Sequence, residues 1–373
     1  MTATTTPFLT PETVPASLAA RPWWRQSLAH GAPGVALLYV ELAARDQAPR
    51  RVAHEWISYT ARQELTRGPD SHLYYGAPAL AHVLACSGRY AAPLAVLDDA
   101  IRTDVKRRLS AAHARIDRGA LPALSEFDAI RGLTGLGAYL LDRDNATARE
   151  VLTYLVRLTE PVDAHGWELP GWWTTGGPNG RPDATYPHGH ANNGVAHGIG
   201  GPLALLARAT RRGVVVDGQR DAIRRVLVWL DRWRTDDAWP YLIDLHTRSK
   251  LQSRQRTSWC YGTAGLARAQ QLAALALGDT ARQRDTEAVL LRTLAAPTGI
   301  TDASLCHGYA GLAHIARRAT EDALDPAAFL GLVPALLSQT EPTGQPYAFL
   351  EGDAGVHLAR EPAATPWSTC LLV

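Results

Sequence analysis

One short element, Gly-x-x-Gly, recurs through this chain at intervals too long for a fibre and too regular for chance. The copies are Gly31-Ala-Pro-Gly34, Gly132-Leu-Thr-Gly135, Gly198-Ile-Gly-Gly201, Gly262-Thr-Ala-Gly265, Gly308-Tyr-Ala-Gly311 and Gly352-Asp-Ala-Gly355. A degenerate copy, Gly76-Ala-Pro-Ala79, ends in alanine. From one first glycine to the next the steps are 45, 56, 66, 64, 46 and 44 residues, room for one helical hairpin per step. Each copy opens a run rich in Ala, Leu and Gly and poor in charge, the composition of a helix buried on most sides. The segments between read differently. In 219–234, Ile223, Val226, Leu227 and Leu230 fall at i, i+3, i+4 and i+7 with Arg and Asp elsewhere, which predicts one apolar face on an amphipathic helix. Segments 150–158 and 329–337 behave alike, the second interrupted by Pro334. Period-2 strand patterns are scarce. Alternating buried and amphipathic helices predict an all-α fold in two concentric layers, an α/α toroid, with each glycine element where a connection meets an inner helix.

The 373 residues then form one large repeat-built domain over 21–373, preceded by a Thr- and Pro-rich N-terminal segment, 1–20, expected to be flexible or loosely docked. Residues 165–194, loaded with Gly, Pro and Trp, interrupt the helical pattern as an irregular loop or small β insert. A hydrophobic content of 46% against 20% charged residues excludes disorder as the main state. A net charge of +2 without a basic block leaves nucleic acid no electrostatic footprint. No apolar run approaches the roughly 20 residues of a membrane-spanning helix, and the N-terminus lacks the layout of a secretory signal. Four cysteines in so long a chain make no disulfide framework. The expectation is a cytoplasmic protein with reduced thiols.

Aligning the repeats on their first glycine sorts the polar residues. Cys260 and Cys306 each lie two positions before it, His197 and His307 one before, Asp128 four before and Arg256 six before. Equivalent repeat positions share one end of a toroid, so these residues from four repeats should converge on one mouth. Two thiols and an adjacent imidazole suit zinc, with a fourth coordination position left open for chemistry. Zinc there would acidify an incoming thiol and leave it nucleophilic. The plainer alternative is that both cysteines are small buried apolar residues. His197 has the chemistry of a general acid or base, or of a core histidine bonded to a carbonyl. Asp128 could orient it, or cap a helix. Arg256 could hold an oxyanion, or be a solvated charge. His188 and His190 look metal-like locally but have no third ligand in phase. They read as structural, as do Cys86 and Cys370. Trp172 and Trp173 read as packing residues.

The segments Trp259-Cys260-Tyr261-Gly262, Leu305-Cys306-His307-Gly308, Ala196-His197-Gly198 and Phe127-Asp128-Ala129-Ile130-Arg131-Gly132 together resemble the lanthionine synthetase C-like family. The glycine elements carrying the resemblance run from 31 to 355. The resemblance implies a toroid of about seven inner and seven outer helices, and a zinc site made by Cys260, Cys306 and His307. It implies active-site roles for Asp128, His197 and Arg256. It implies a stand-alone cyclase that adds peptide cysteine thiols to dehydroalanine or dehydrobutyrine, closing lanthionine or methyllanthionine rings in a lantibiotic-type precursor. The partners it implies are the dehydrated precursor peptide, a separate dehydratase and a membrane exporter, through which the enzyme would meet the membrane. Three other readings stay open at this stage: glutathione addition to dehydroamino acids in proteins, a toroidal glycosidase, and a non-catalytic peptide-binding scaffold. A glycosidase would need paired carboxylates, and only Asp128 is in phase. Ala79 departs from the pattern and puts the packing of the second inner helix in question.

Overall fold

The computed structural model describes residues 8–245 and 255–373. A short helix, α1 (Ala16–Ala19), precedes a series of hairpins: α2 (Ala32–Ala44) with α3 (Arg50–Ala61), and α4 (Ala77–Ser87) with α5 (Ala91–Asp117). After the single turn α6 (Leu124–Phe127) come α7 (Leu133–Arg143) with α8 (Asn145–Leu158), α9 (Gly200–Arg211) with α10 (Gln219–Trp233), and α11 (Thr263–Leu277) with α12 (Thr280–Ala295). The series ends with α13 (Tyr309–Thr320), α14 (Pro326–Leu337) and α15 (Asp353–Arg360). The fold is an α/α toroid. The seven helices that follow the glycine elements form its inner wall, α15 packing back on α2 to close the ring. They are buried nearly all round, as α2 and α11 show. Outer helices bury one stripe only. In α10 it consists of the expected Ile223, Val226, Leu227 and Leu230.

The glycine element has a steric cause. A Cβ on Gly135, Gly265, Gly311 or Gly355 would stand 1.9–2.2 Å from the carbonyl oxygen of the residue six before it: Ala129, Trp259, Leu305 or Phe349. The same carbonyl crowds Gly34 and Gly201, at 2.4 and 2.6 Å. The incoming connection therefore lies flat on the first turn of each inner helix, where only glycine leaves room. Ala79 breaks this rule, and the backbone there differs: Gly76 takes φ +75°, while Gly31, Gly132, Gly308 and Gly352 precede their helices in extended conformations. The second inner helix is thus met along another path, and Ala79 is fully buried without displacing the fold.

Six outer helices, not seven, stand among the described residues. After α15 the chain turns into the lumen. Trp367–Leu371 form a 3-10 turn, and Trp367, Cys370 and Leu371 are buried. Tyr74 donates its hydroxyl to the Cys370 carbonyl at 2.9 Å, and the Trp259 indole donates to Leu371 O at 2.8 Å. Residues 1–7 of the N-terminal segment lie outside the described residues. Its remainder is docked: Leu9 N donates to Tyr39 Oη at 2.6 Å, the Trp56 indole donates to Leu9 O at 2.9 Å, and the Tyr347 hydroxyl donates to Thr13 O at 2.8 Å. The interruption near 165–194 follows a hairpin, β1 (Pro161–Ala164) with β2 (Trp167–Pro170), and ends in β3 (Ala191–Asn192), which pairs antiparallel with β4 (Leu242–Ile243). Among the described residues no helix is long and apolar enough to cross a membrane.

Candidate active site and metal centre

The seven connections meet at one end of the toroid, joined by backbone hydrogen bonds. Leu28 N donates to Tyr74 O, Ala129 N to Ala196 O, and Ala196 N to Cys260 O. Cys260 N donates to Cys306 O at 3.2 Å, Cys306 N to Leu350 O at 2.9 Å, and Leu350 N to Ala29 O at 3.0 Å. Six of these residues (Ala29, Tyr74, Ala196, Cys260, Cys306 and Leu350) lie two positions before their repeat's first glycine, so one repeat phase lines the mouth. The residues one position later point into the mouth: His30, Tyr75, Arg131, His197, Tyr261, His307 and Glu351. All seven are polar or aromatic, and none is fully buried.

Cys260, Cys306 and His307 come together here, each offering a ligand atom within 4.8 Å of the others. The His307 Nε2 faces Asp302 Oδ2 at 3.1 Å, and Asp302 is itself held by Ser304 N at 2.7 Å. A carboxylate on one imidazole nitrogen fixes the ring and leaves the other for a metal. The Cys306 thiol beside it, helped by His307, pulls Cys260 well below the ordinary thiol range against burial. Cys306 is pushed well above that range by the Cys260 sulfur beside it, and His307 is raised, chiefly by Cys260. An ionised sulfur next to a second thiol and an imidazole is the donor set zinc takes. The cluster's chemistry fits that ion, with protein ligands enough for three positions and a fourth left over.

His197 stands beside it, one-third exposed, on the connection into α9. Its Nδ1 meets Asp128 Oδ2 at 2.6 Å, and its ring stacks on Tyr261 with centroids 5.8 Å apart. Asp128 is buried, and its other oxygen accepts from Arg131 N at 2.6 Å and Gly132 N at 2.8 Å. Asp128 thus fastens the turn into α7 with one oxygen and meets the imidazole with the other. A cleft of about 390 Å³ opens over the pair. Asp128, Arg131, His197 and Tyr261 form one wall, and Thr174, Thr175 and Asn179 of the insert form the other. Burial holds the Tyr261 hydroxyl well above its ordinary range, so it stays protonated.

Arg256 lies farther out. It is exposed at the start of the connection into α11, against Gly299, and is absent from the cleft wall. Its charge is felt by Tyr241, whose ring lies 5.6 Å from that of Tyr261. His188 and His190 join no metal group among the described residues. His190 is fully buried, with its backbone paired to Thr174. Trp172 and Trp173 are packing residues, Trp172 edge-on to Trp229 and Trp173 donating to His188 O. Cys86 and Cys370 are buried, and burial raises both thiols, Cys370 to about 12. Sequence reasoning missed Tyr261, Arg131 and Asp302. All three were in phase: Tyr261 and Arg131 one before a first glycine like His197, and Asp302 six before Gly308, as Arg256 is before Gly262.

The fold and this mouth define a class: a helical toroid with a thiol–imidazole cluster fit to hold a metal beside a carboxylate-held histidine. The family model described as lanthionine synthetase C-like protein matches residues 22–359. The chain belongs to that family. It is 23% identical over 307 residues to the nisin biosynthesis protein NisC of Lactococcus lactis subsp. lactis, covering 78% of this chain and 72% of that protein. Its fold is similar to that of the solved structure of nisin cyclase, with a TM-score of 0.79 at 21% identity over 94% of this chain and 93% of that one.

Proposed function

We propose that this chain is a lanthipeptide cyclase, adding cysteine thiols of a dehydrated precursor peptide to its dehydroalanine or dehydrobutyrine residues to form thioether rings. The observation that carries the reading is the juxtaposition of the Cys260–Cys306–His307 cluster with the His197–Asp128 pair in one mouth. Family membership and the likeness to a nisin biosynthesis protein support it. Cys260, Cys306 and His307 would hold zinc, which when bound lowers the pKa of a thiol beside it. Asp302 orients His307 for that task. The thiol releases its proton to solvent, its sulfur attacks the alkene β-carbon, the π electrons move toward the adjacent carbonyl, and an enolate forms. The enolate must take a proton at Cα. His197 delivers it from Nε2, the nitrogen left free by Asp128. The carboxylate keeps the ring aimed, with Nε2 toward the cleft. Tyr261 packs against the imidazole and narrows its orientations. Arg256, outside the cleft wall, holds the enolate oxygen only when a bound peptide draws it inward.

The open cleft suits a chain passing through it better than a small enclosed substrate, which favours a peptide over glutathione. A scaffold without chemistry would have no use for Asp302 and Asp128 holding the two histidines. The precursor's dehydratase and an exporter are the partners such a step requires before and after it, and they would bring the enzyme to the membrane. Ring closure adds no mass, so the test counts free thiols by alkylation after incubation with a dehydrated precursor, alongside elemental analysis for zinc. Wild type should carry about one zinc and consume thiols with one ring pattern. Cys260→Ala should lose the metal and fall to the uncatalysed background. Identical rates and ring patterns in the two proteins would leave the scaffold reading in place.

A further inference from the structure

A groove of about 460 Å³ outside the mouth lies at the opposite ends of α2 and α4, between the first two hairpins. Val40, Ala43, Ala53 and Ile57 make an apolar floor. Arg50 and Arg51 stand on one rim and Arg89 on the other, all exposed. No carboxylate lines it. Among the described residues neither Arg50 nor Arg89 forms an ion pair, and Arg51 reaches only the exposed Glu55, at 3.6 Å. His54 and Tyr90 build a polar side wall: their rings stack at 6° and His54 Nδ1 meets the Tyr90 hydroxyl at 2.9 Å. The overall charge is nearly balanced, with 38 basic and 36 acidic side chains, and arginines such as Arg102, Arg211, Arg234, Arg282 and Arg292 each pair with a carboxylate. Arg50 and Arg89 instead face each other across an apolar trough that no carboxylate lines.

We infer that this groove docks an extended acidic peptide segment, whose alternate apolar side chains enter the trough while its carboxylates meet Arg50, Arg51 and Arg89. Three observations favour that occupant. The groove is open along its length, so it admits a chain rather than enclosing a small molecule. Cations on both rims above an apolar floor match the side-chain alternation of an extended strand, in which successive residues point to opposite faces. The His54–Tyr90 wall adds a hydroxyl and an imidazole to the groove lining, groups that can bond a peptide backbone. Rim charges of this kind set association rate and selectivity, with strong dependence on salt. A segment bound here leaves the mouth clear, because α2 and α4 begin at the mouth and the groove lies at their other ends.

The test is a binding measurement and does not depend on ring chemistry. The probe is a short fluorescein-labelled peptide in which Glu and Leu alternate, followed by anisotropy against the full-length protein. Saturable binding that weakens with added salt is expected. Arg50→Glu combined with Arg89→Glu should weaken it by about tenfold or more, since each exposed ion pair lost is worth up to about 1 kcal/mol and each reversal adds repulsion. Ala44→Trp, which fills the trough from its exposed edge without changing charge, should weaken it too. Circular dichroism and thiol consumption should be unchanged in both variants. Equal affinity of wild type and the double variant would overturn the inference. So would equal affinity for a peptide with Lys in place of Glu. Binding of the protein to phosphatidylglycerol vesicles, lost in the double variant while the peptide fails to bind, would assign the groove to an anionic membrane instead.

Discussion

Asp128 does two jobs through two oxygens, so two substitutions should separate them. In Asp128→Ala, Gly132 N loses its acceptor in a buried position, Arg131 N loses its own in a half-buried one, and His197 Nδ1 loses its partner. An unsatisfied buried donor costs about 1–3 kcal/mol. With the second, partly solvated donor added, the loss should be about 2–4 kcal/mol. Asp128→Asn keeps a side-chain oxygen for both backbone donors and should cost only about 1 kcal/mol. The asparagine amide, however, offers His197 Nδ1 a donor where the carboxylate offered an acceptor, so the ring loses the hydrogen bond that aims it. Help from a positioned general acid is typically worth about 10²–10⁴-fold. Asp128→Asn should therefore close rings at least about 10²-fold more slowly while melting near wild type, and His197→Ala should match its rate. Urea midpoints give the stability difference. Alkylation of residual thiols over time, with fragmentation to locate the rings, gives the rate. An asparagine variant at wild-type rate would refute the orienting role. An alanine variant as stable as the asparagine one would refute the turn-fastening role.

Gly311→Ala drives a methyl to within 2.1 Å of Leu305 O, on the connection that carries Cys306. It should cost about 1–3 kcal/mol by overpacking and weaken zinc retention against a chelator. Gly331→Ala, with open space around it, should change neither. Stability should also fall in acid. His314 is buried with Nε2 unpartnered, and burial, with Arg318, Arg317 and Arg268 around it, depresses its pKa from 6.5 to about 3. The unfolded chain therefore takes up this proton at about pH 6.5 while the folded one refuses it until about pH 3. The stabilisation is complete above pH 6.5 and is lost as pH falls between these values, at a slope of about 1.4 kcal/mol per unit. His314→Leu should flatten denaturant midpoints across that window. A variant whose midpoints fall as steeply as wild type's would remove His314 from the account.

Ring closure of the toroid was readable because a repeat carries its own phase. The residues at one offset from each first glycine share an end of the barrel whatever the connections between them do. Counting back from the glycines placed Cys260, Cys306, His307 and His197 at one end before any distance was known, and Asp128 with them. The same count reached Tyr261, Arg131 and Asp302, but thiols and imidazoles announce chemistry by type more readily than a tyrosine, an arginine or an aspartate does.

What the sequence determined by itself is what periodicity and sterics fix locally. Small residues and glycine select the inner helices, since a crossing carbonyl leaves no room for a Cβ, and one apolar stripe selects the outer ones. Tertiary structure decided everything that joins segments without a shared phase. The 2.6 Å contact between His197 and Asp128 spans 69 positions and depends on two connections lying side by side. The insert's Thr174, Thr175 and Asn179 become a cleft wall only by folding back over the mouth. Arg256, in phase by count, sits outside that wall, because an offset of six residues along an irregular connection fixes the end of the barrel but not the direction of a side chain. The segment after α15 packs against Tyr74 and Trp259, on two different connections. A barrel's empty centre is a property of the closed ring, and no single repeat encodes it.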